Sequence, residues 1–223
     1  MRVLLRVGAG KVLNHVKRFG FDTSSFPRNT QLAIGGGTMT VAPLDMAKAY
    51  AVLANGGYLV EPQIIDRIIN QNGQVVFANK SPKVCRNCPA EKEPAANTAA
   101  SRRQSLAADP TDWLMDNNSL EDLVESIGQT ATQAKYAPRV LDERNAFIMQ
   151  SMLRDVVKRG TGRRALVLKR NDLAGKTGTT NDAADTWFNG FNSSLVASVW
   201  VGFSGQDPLG SNAYGSNIPL PIW

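Results

Sequence analysis

Residues 174–180 read AGKTGTT and bring one ammonium, three hydroxyls and two side-chain-free glycines together in seven positions. Two chemistries use such a set. As a phosphate-cradling loop, Gly175-Lys176-Thr177 needs a glycine five residues before Gly175 and a helix after Thr177, whose free N–H groups hold the anion. Arg170 stands at the glycine position, and the following TNDAADTWFNGFNSSLVASVWVGF is rich in turn formers, aromatics and β-branched residues. That composition predicts strands and hairpins. On a strand, Lys176, Gly178 and Thr180 share one face and Thr177 and Thr179 the other. At an exposed edge both sets reach a ligand, and Gly178 leaves the backbone bare for close approach. An ammonium, hydroxyls and a free backbone N–H suit a carboxylate and a developing oxyanion.

The elements that position these residues follow from periodicity. Three antiparallel strands are expected at about 173–180, 186–191 and 195–203, joined by NDAAD and NSS. In the last, Leu195, Ala197, Val199, Val201 and Phe203 fall on one face, as a half-buried strand requires. Upstream, Asp142 is a plausible N-cap for a helix that ends at Gly160, with Met149, Met152, Leu153, Val156 and Val157 as its core stripe. Pro43 opens another helix, which Gly56-Gly57 ends; its apolar Leu44, Ala47, Tyr50, Ala51 and Ala54 predict close packing on a sheet. Asn72-Gly73 marks a hairpin within PQIIDRIINQNGQVVFANK, and a first amphipathic helix stops near Gly20. Long helices beside an antiparallel meander make an α+β fold. Three stretches result: 1–80, helical with the hairpin; 81–137, a polar, weakly periodic insertion or mobile loop; and 138–223, a helix with the meander.

The chain has 223 residues, 43% of them hydrophobic, enough for a substantial core. No apolar run approaches the ~18 residues of a membrane span, and nothing addresses the chain to a compartment. Both ends read as cut, since RVLLRVGAGKVLNHVKRFG starts uncapped and NIPLPIW stops on apolar residues. The net charge of +6 is concentrated: residues 139–170 hold nine Lys or Arg against Asp142, Glu143 and Asp155, and nine minus three equals the whole excess. Such a patch fits an anionic polymer, a membrane surface or nucleic acid, or a solvated helix face. No nucleic-acid motif accompanies it.

The Lys-Thr-Gly triplet acquires meaning from its surroundings. FPRNTQLAIGGGTMTVAPLDMAKAYAVLANGG, NQNGQVVF, PKVCRNCP, MLRDVVKRGTG, AGKTGTTNDAADTWFNGF and VASVWVGF occur in this order. Together they resemble the transpeptidase domain of class A penicillin-binding proteins of the 1A type, bifunctional enzymes that polymerise and cross-link peptidoglycan. The resemblance covers nearly the whole chain and implies part of a serine β-lactamase-like fold, an antiparallel sheet flanked by helices. It implies that Lys176 attracts the terminal carboxylate of a D-Ala-D-Ala stem peptide, that Thr177 and Thr179 hydrogen-bond it, and that the Thr179 N–H is half of an oxyanion hole. Gly178 belongs to the same substrate strand, and Trp187 is expected as a wall of the site or as a core tryptophan. Such enzymes also use Ser-x-x-K and Ser-x-Asn motifs. Neither occurs in these residues, so the resemblance implies an active parent and an inactive chain on its own.

The resemblance further implies no cofactor, the periplasmic face of the bacterial inner membrane, an upstream membrane anchor and glycosyltransferase domain, and β-lactams as covalent inhibitors of the complete enzyme. Two other readings share the triplet: a serine β-lactamase-like hydrolase and a non-catalytic scaffold. The family's hydroxyl N-cap is replaced by Ala42, a cost of about 1 kcal/mol unless Thr40 substitutes. Cys85 and Cys88 are too few ligands for a structural zinc; an oxidising periplasm favours a local disulfide, with two free thiols the other reading.

Overall fold

The computed structural model describes residues 2–35, 39–86, 136–205 and 207–223. The chain divides into two compact units, one formed by Met1–Val84 with Tyr136–Trp223 and the other by Cys85–Lys135. Almost all of the second unit, and with it most of the expected insertion, lies outside the described residues.

In the first unit the opening amphipathic pattern makes two helices, α1 (Arg2–Val7) and α2 (Ala9–Lys17), because Gly8 adopts a φ of 89° that side-chain-bearing residues avoid. Leu4 and Leu13 bury against Phe26 and Leu32. The helix α3 (Pro43–Ala54) begins at the expected proline. Its missing hydroxyl cap is not replaced by Thr40. Asp45 instead accepts a hydrogen bond from the Ala42 N–H at 3.2 Å, the reciprocal half of a capping box. The hairpin of β1 (Arg67–Ile69) and β2 (Val75–Ala78) is shorter than expected and exposed along its length.

The helix α4 (Glu143–Arg159) is capped by Asp142, whose side chain accepts from the Arg144 N–H at 2.9 Å. Its inward residues are Ala146, Leu153 and Val157. Met149 and Met152, expected in the core stripe, are 39% and 58% exposed. The buried line passes through Ala146, so it runs to one side of the methionines. α3 and α4 pack together, with Val52 and Ala146 buried around Leu141.

The meander consists of β3 (Ala174–Thr179), β4 (Asp185–Phe191) and β5 (Val196–Gly202), antiparallel in the order β3-β4-β5. Lys176 lies opposite Asn189, Thr177 opposite Phe188, Gly178 opposite Trp187 and Thr179 opposite Thr186. One face therefore carries Ala174, Lys176 and Gly178 with Phe191, Asn189 and Trp187. Its base packs on Tyr50, Leu53 and Ala54 of α3. The opposite face buries Phe188 against Val157, Ala165, Leu220 and the final Trp223. Gly175 and Gly190 are paired there because a Cβ at Gly175 would stand 2.7 Å from Phe188 Cζ, and one at Gly190 2.9 Å from Trp223 Cζ2. The result is an open antiparallel sheet flanked by helices, as the sequence predicts.

Candidate active site

Among the described residues β3 is an edge strand. Its ladder orientation follows from its exit, where the Thr180 N–H donates to the Asp185 carbonyl at 3.0 Å. Since backbone groups of successive strand residues turn to opposite sides, the N–H and C=O of Thr177 and Thr179 turn to the open edge. The Thr177 carbonyl is reached there by Lys176 Nζ at 2.8 Å, with Thr177 Oγ1 at 3.4 Å. The ammonium thus lies along its own strand, exposed, beside the hydroxyl that follows it.

Two hydroxyls of the stretch are held by different neighbours. Thr177 Oγ1 lies 2.7 Å from Thr161 Oγ1. Thr161 sits between Gly160 and Gly162, whose N–H groups both donate to the Val156 carbonyl at 3.0 Å and fold the chain back over the end of α4. Thr179 Oγ1 accepts from the Gly215 N–H at 3.1 Å. Gly215 lies so close to the strand that a Cβ there would stand 2.5 Å from the Trp187 carbonyl oxygen and 2.6 Å from that of Gly178.

A cavity of about 250 Å³ opens on the Lys176 side, where Lys176, Thr177, Gly178, Trp187 and Asn189 meet apolar side chains such as Val16, Phe26 and Met46. Asn189 is buried and accepts from Ser198 Oγ. Tyr50 lines the same cavity, and burial pushes its phenol up to about 12, so it remains neutral at physiological pH. Trp187 stacks obliquely on Trp200, ring centres 6.3 Å apart. Thr186 is buried and donates its hydroxyl to the Val201 carbonyl at 3.2 Å. A second cavity, of about 650 Å³, lies at the strand's tip and is walled by Thr179, Thr180 and the 208–214 segment.

A family model described as the penicillin-binding protein transpeptidase domain matches residues 1–105 and 116–217. The chain belongs to this family. It is 44% identical over all 223 residues to penicillin-binding protein 1A of Pseudomonas aeruginosa, and 35% identical to penicillin-binding protein 1A of Neisseria meningitidis. It spans only 26% and 22% of those two proteins' lengths. The crystal structure of penicillin-binding protein 1A from Haemophilus influenzae superimposes on 99% of this chain, and 31% of that one, with a TM-score of 0.73 and 28% identity. A penicillin-binding protein from Mycobacterium tuberculosis, PonA1, shares the fold at a TM-score of 0.59.

Within this transpeptidase domain, the expected Lys176, Thr177, Gly178 and Trp187 meet at one cavity, whereas Thr179 faces the other. Cys85 is not a free thiol, and Cys88 lies outside the described residues. Thr161, Asn189, Tyr50 and Gly215 were missed as site residues. Only Thr161 had a local signal, its flanking glycines after a helix; the others arrive through long-range packing.

Proposed function

We propose that this chain is part of a serine-type DD-transpeptidase that cross-links peptidoglycan, and that β3 is its donor-recognition strand. The supporting observation is the open edge of β3, which carries the Thr179 N–H beside an exposed ammonium. In this reading Lys176 and the hydroxyls of Thr177 and Thr179 bind the terminal carboxylate of a D-Ala-D-Ala stem peptide. The peptide adds to β3 as an extra strand, and the Thr179 N–H stabilises the oxyanion as the acyl group passes to a serine outside these residues. Trp187 walls the Lys176 cavity. Residues 81–137 are an insertion in the domain, and Cys85 pairs with Cys88. The parent protein carries a glycosyltransferase domain and a membrane anchor, acts on the periplasmic face of the inner membrane, and needs no cofactor for transpeptidation.

The test is acylation of the complete protein by a fluorescent penicillin, with Lys176→Ala alongside. Labelling that falls at least about tenfold in the variant is expected, since a charge-assisted contact to the carboxylate is lost. An unlabelled wild type favours the scaffold reading. Labelling followed by rapid hydrolysis, with no transfer to an amine, favours the β-lactamase-like one.

A further inference from the structure

Thr161 lies outside the Lys-Thr-Gly stretch, in the turn after α4, and the chain fixes it from both sides. The Gly160 and Gly162 N–H groups both donate to the Val156 carbonyl at 3.0 Å. A Cβ at Gly160 would stand 2.9 Å from the Cα and the carbonyl oxygen of Val156, so a side chain there would push the turn off the helix end. Beyond Thr161, Gly162 leads into a 3-10 turn, Arg163–Leu168, whose Ala165 is buried in the cluster of Val157 and Phe188. From this platform Thr161 Oγ1 reaches Thr177 Oγ1 at 2.7 Å, across 16 residues of sequence. Among the described residues, the other group bonded to Thr177 Oγ1 is Lys176 Nζ, at 3.4 Å.

These contacts decide where one proton goes. A threonine hydroxyl has a single proton to donate and two lone pairs to accept with, a lysine ammonium only donates, and an ionised carboxylate only accepts. Thr177 can therefore bind a carboxylate only with its own proton, and that proton is taken whenever Thr177 donates to Thr161. We propose that Thr161 is a positioning residue of the transpeptidase, which directs the Thr177 proton at the terminal carboxylate of the donor. When that carboxylate arrives, the Thr161 hydroxyl donates to Thr177 Oγ1, Lys176 donates to the second lone pair, and the Thr177 hydroxyl is left to donate to the substrate. The inference rests on the donor-strand reading above and adds to it a residue that never touches the peptide. Two hydroxyl rotations make the change, and no covalent bond forms or breaks. Thr161 is exposed, so its own lone pairs stay with solvent. Hydrogen bonds aligned in one direction also polarise one another, which strengthens the last of them.

The experiment is a double-mutant cycle in the complete protein, read as the second-order rate of acylation by a fluorescent penicillin, whose carboxylate stands in for that of the stem peptide. Thr161→Val keeps the shape and removes the hydroxyl; acylation should slow about two- to tenfold, the worth of one neutral hydrogen bond. Thr161→Ser restores the hydroxyl and should acylate within about twofold of wild type. Thr177→Val should slow acylation about ten- to a hundredfold, as loss of a bond to a charged group does. In that background Thr161→Val should change nothing further, because no hydroxyl is left to direct. A merely structural role would give the same loss in both backgrounds. Thr161→Ala takes the place of valine in the cycle where a thermal melt shows the valine variant unfolded. Losses that multiply, a serine no better than valine, or a Thr161→Val protein that acylates like wild type overturn this inference and leave the donor-strand reading standing. Unchanged acylation in Thr177→Val overturns the role of Thr177 in that reading, and this inference with it.

Discussion

The two ends of β3 are built in opposite ways. At its entry, Asp172 accepts two hydrogen bonds from the Arg170 guanidinium, at 2.9 and 2.7 Å, and two more from Ser193, through the N–H at 3.2 Å and the hydroxyl at 2.9 Å. One carboxylate thus ties the start of the strand to the β4–β5 turn. At its exit, the strand passes into a turn with two positive-φ residues and an unpaired carboxylate, and Thr179 has a single side-chain tie. A packed core around Phe188 lies between them. The contrast separates a saturated, anchoring end from a sparsely tied one, which in the proposed reading serves the ligand. If it is correct, changes at the exit should alter chemistry more than stability, and changes at the entry the reverse.

The largest effect is expected at the exit. Replacing the Thr179 amide by an ester in the complete protein removes one N–H and leaves every side chain in place. Loss of an oxyanion donor should slow acylation about a hundredfold or more, with little change in donor binding, which the proposed function assigns to Lys176 and the hydroxyls. Stopped-flow acylation against donor concentration separates the two. Equal rates would leave β3 as a recognition strand only.

A smaller and mixed effect is expected from Gly215→Ala. The new methyl would meet backbone oxygens that cannot swing aside, so the 214–215 segment must lift and its tie to Thr179 must lengthen. Overpacking of this kind costs about 1–3 kcal/mol. Denaturant unfolding should register that loss, and acylation should fall by less than with the ester. Loss of stability with acylation unchanged would show that the Gly215 wall only braces the tip.

What was legible in the sequence follows the same division. The three strands fall within a residue or two of expectation because NDAAD and NSS interrupt a period-two pattern. Face assignment also held for Lys176 and Thr177, since alternation leaves no freedom once the strand is known. The stripe on α4 was misjudged because 3.6-residue periodicity defines a line without saying which flank meets the sheet; Ala146 and Leu153 carry it, and Met149 and Met152 turn outward. Gly8 breaks the first helix, although its flanking residues preserve the apolar pattern. At the site, AGKTGTT could be read locally, but Thr161, Asn189 and Gly215 reach it from 13 to 36 residues away, and no spacing rule reveals such contacts.

The smallest effect belongs to the entry and shows itself through pH. The hydrogen bonds from Arg170, then those from the Ser193 N–H and hydroxyl, hold the Asp172 carboxyl well below the ordinary carboxylate range, and the same pairing raises the Arg170 guanidinium further. An acid whose pKa is lower in the folded state adds stability that is complete above its unfolded value, about 3.9, and is lost progressively as pH falls below it. Asp172→Asn keeps one acceptor oxygen but removes the charge. The variant should therefore melt below wild type at pH 7, and the gap should narrow on acidification below about pH 4, where the wild-type carboxylate begins to lose its advantage. Because the group is partly exposed, salt should shrink the gap at neutral pH as well. Thermal melts of the two proteins across pH and salt make the comparison, with acylation at neutral pH measured in parallel. A gap that is constant from neutral to acid would remove Asp172 as the electrostatic anchor of β3. A fall in acylation matching that of the Thr179 ester would erase the distinction between the strand's two ends.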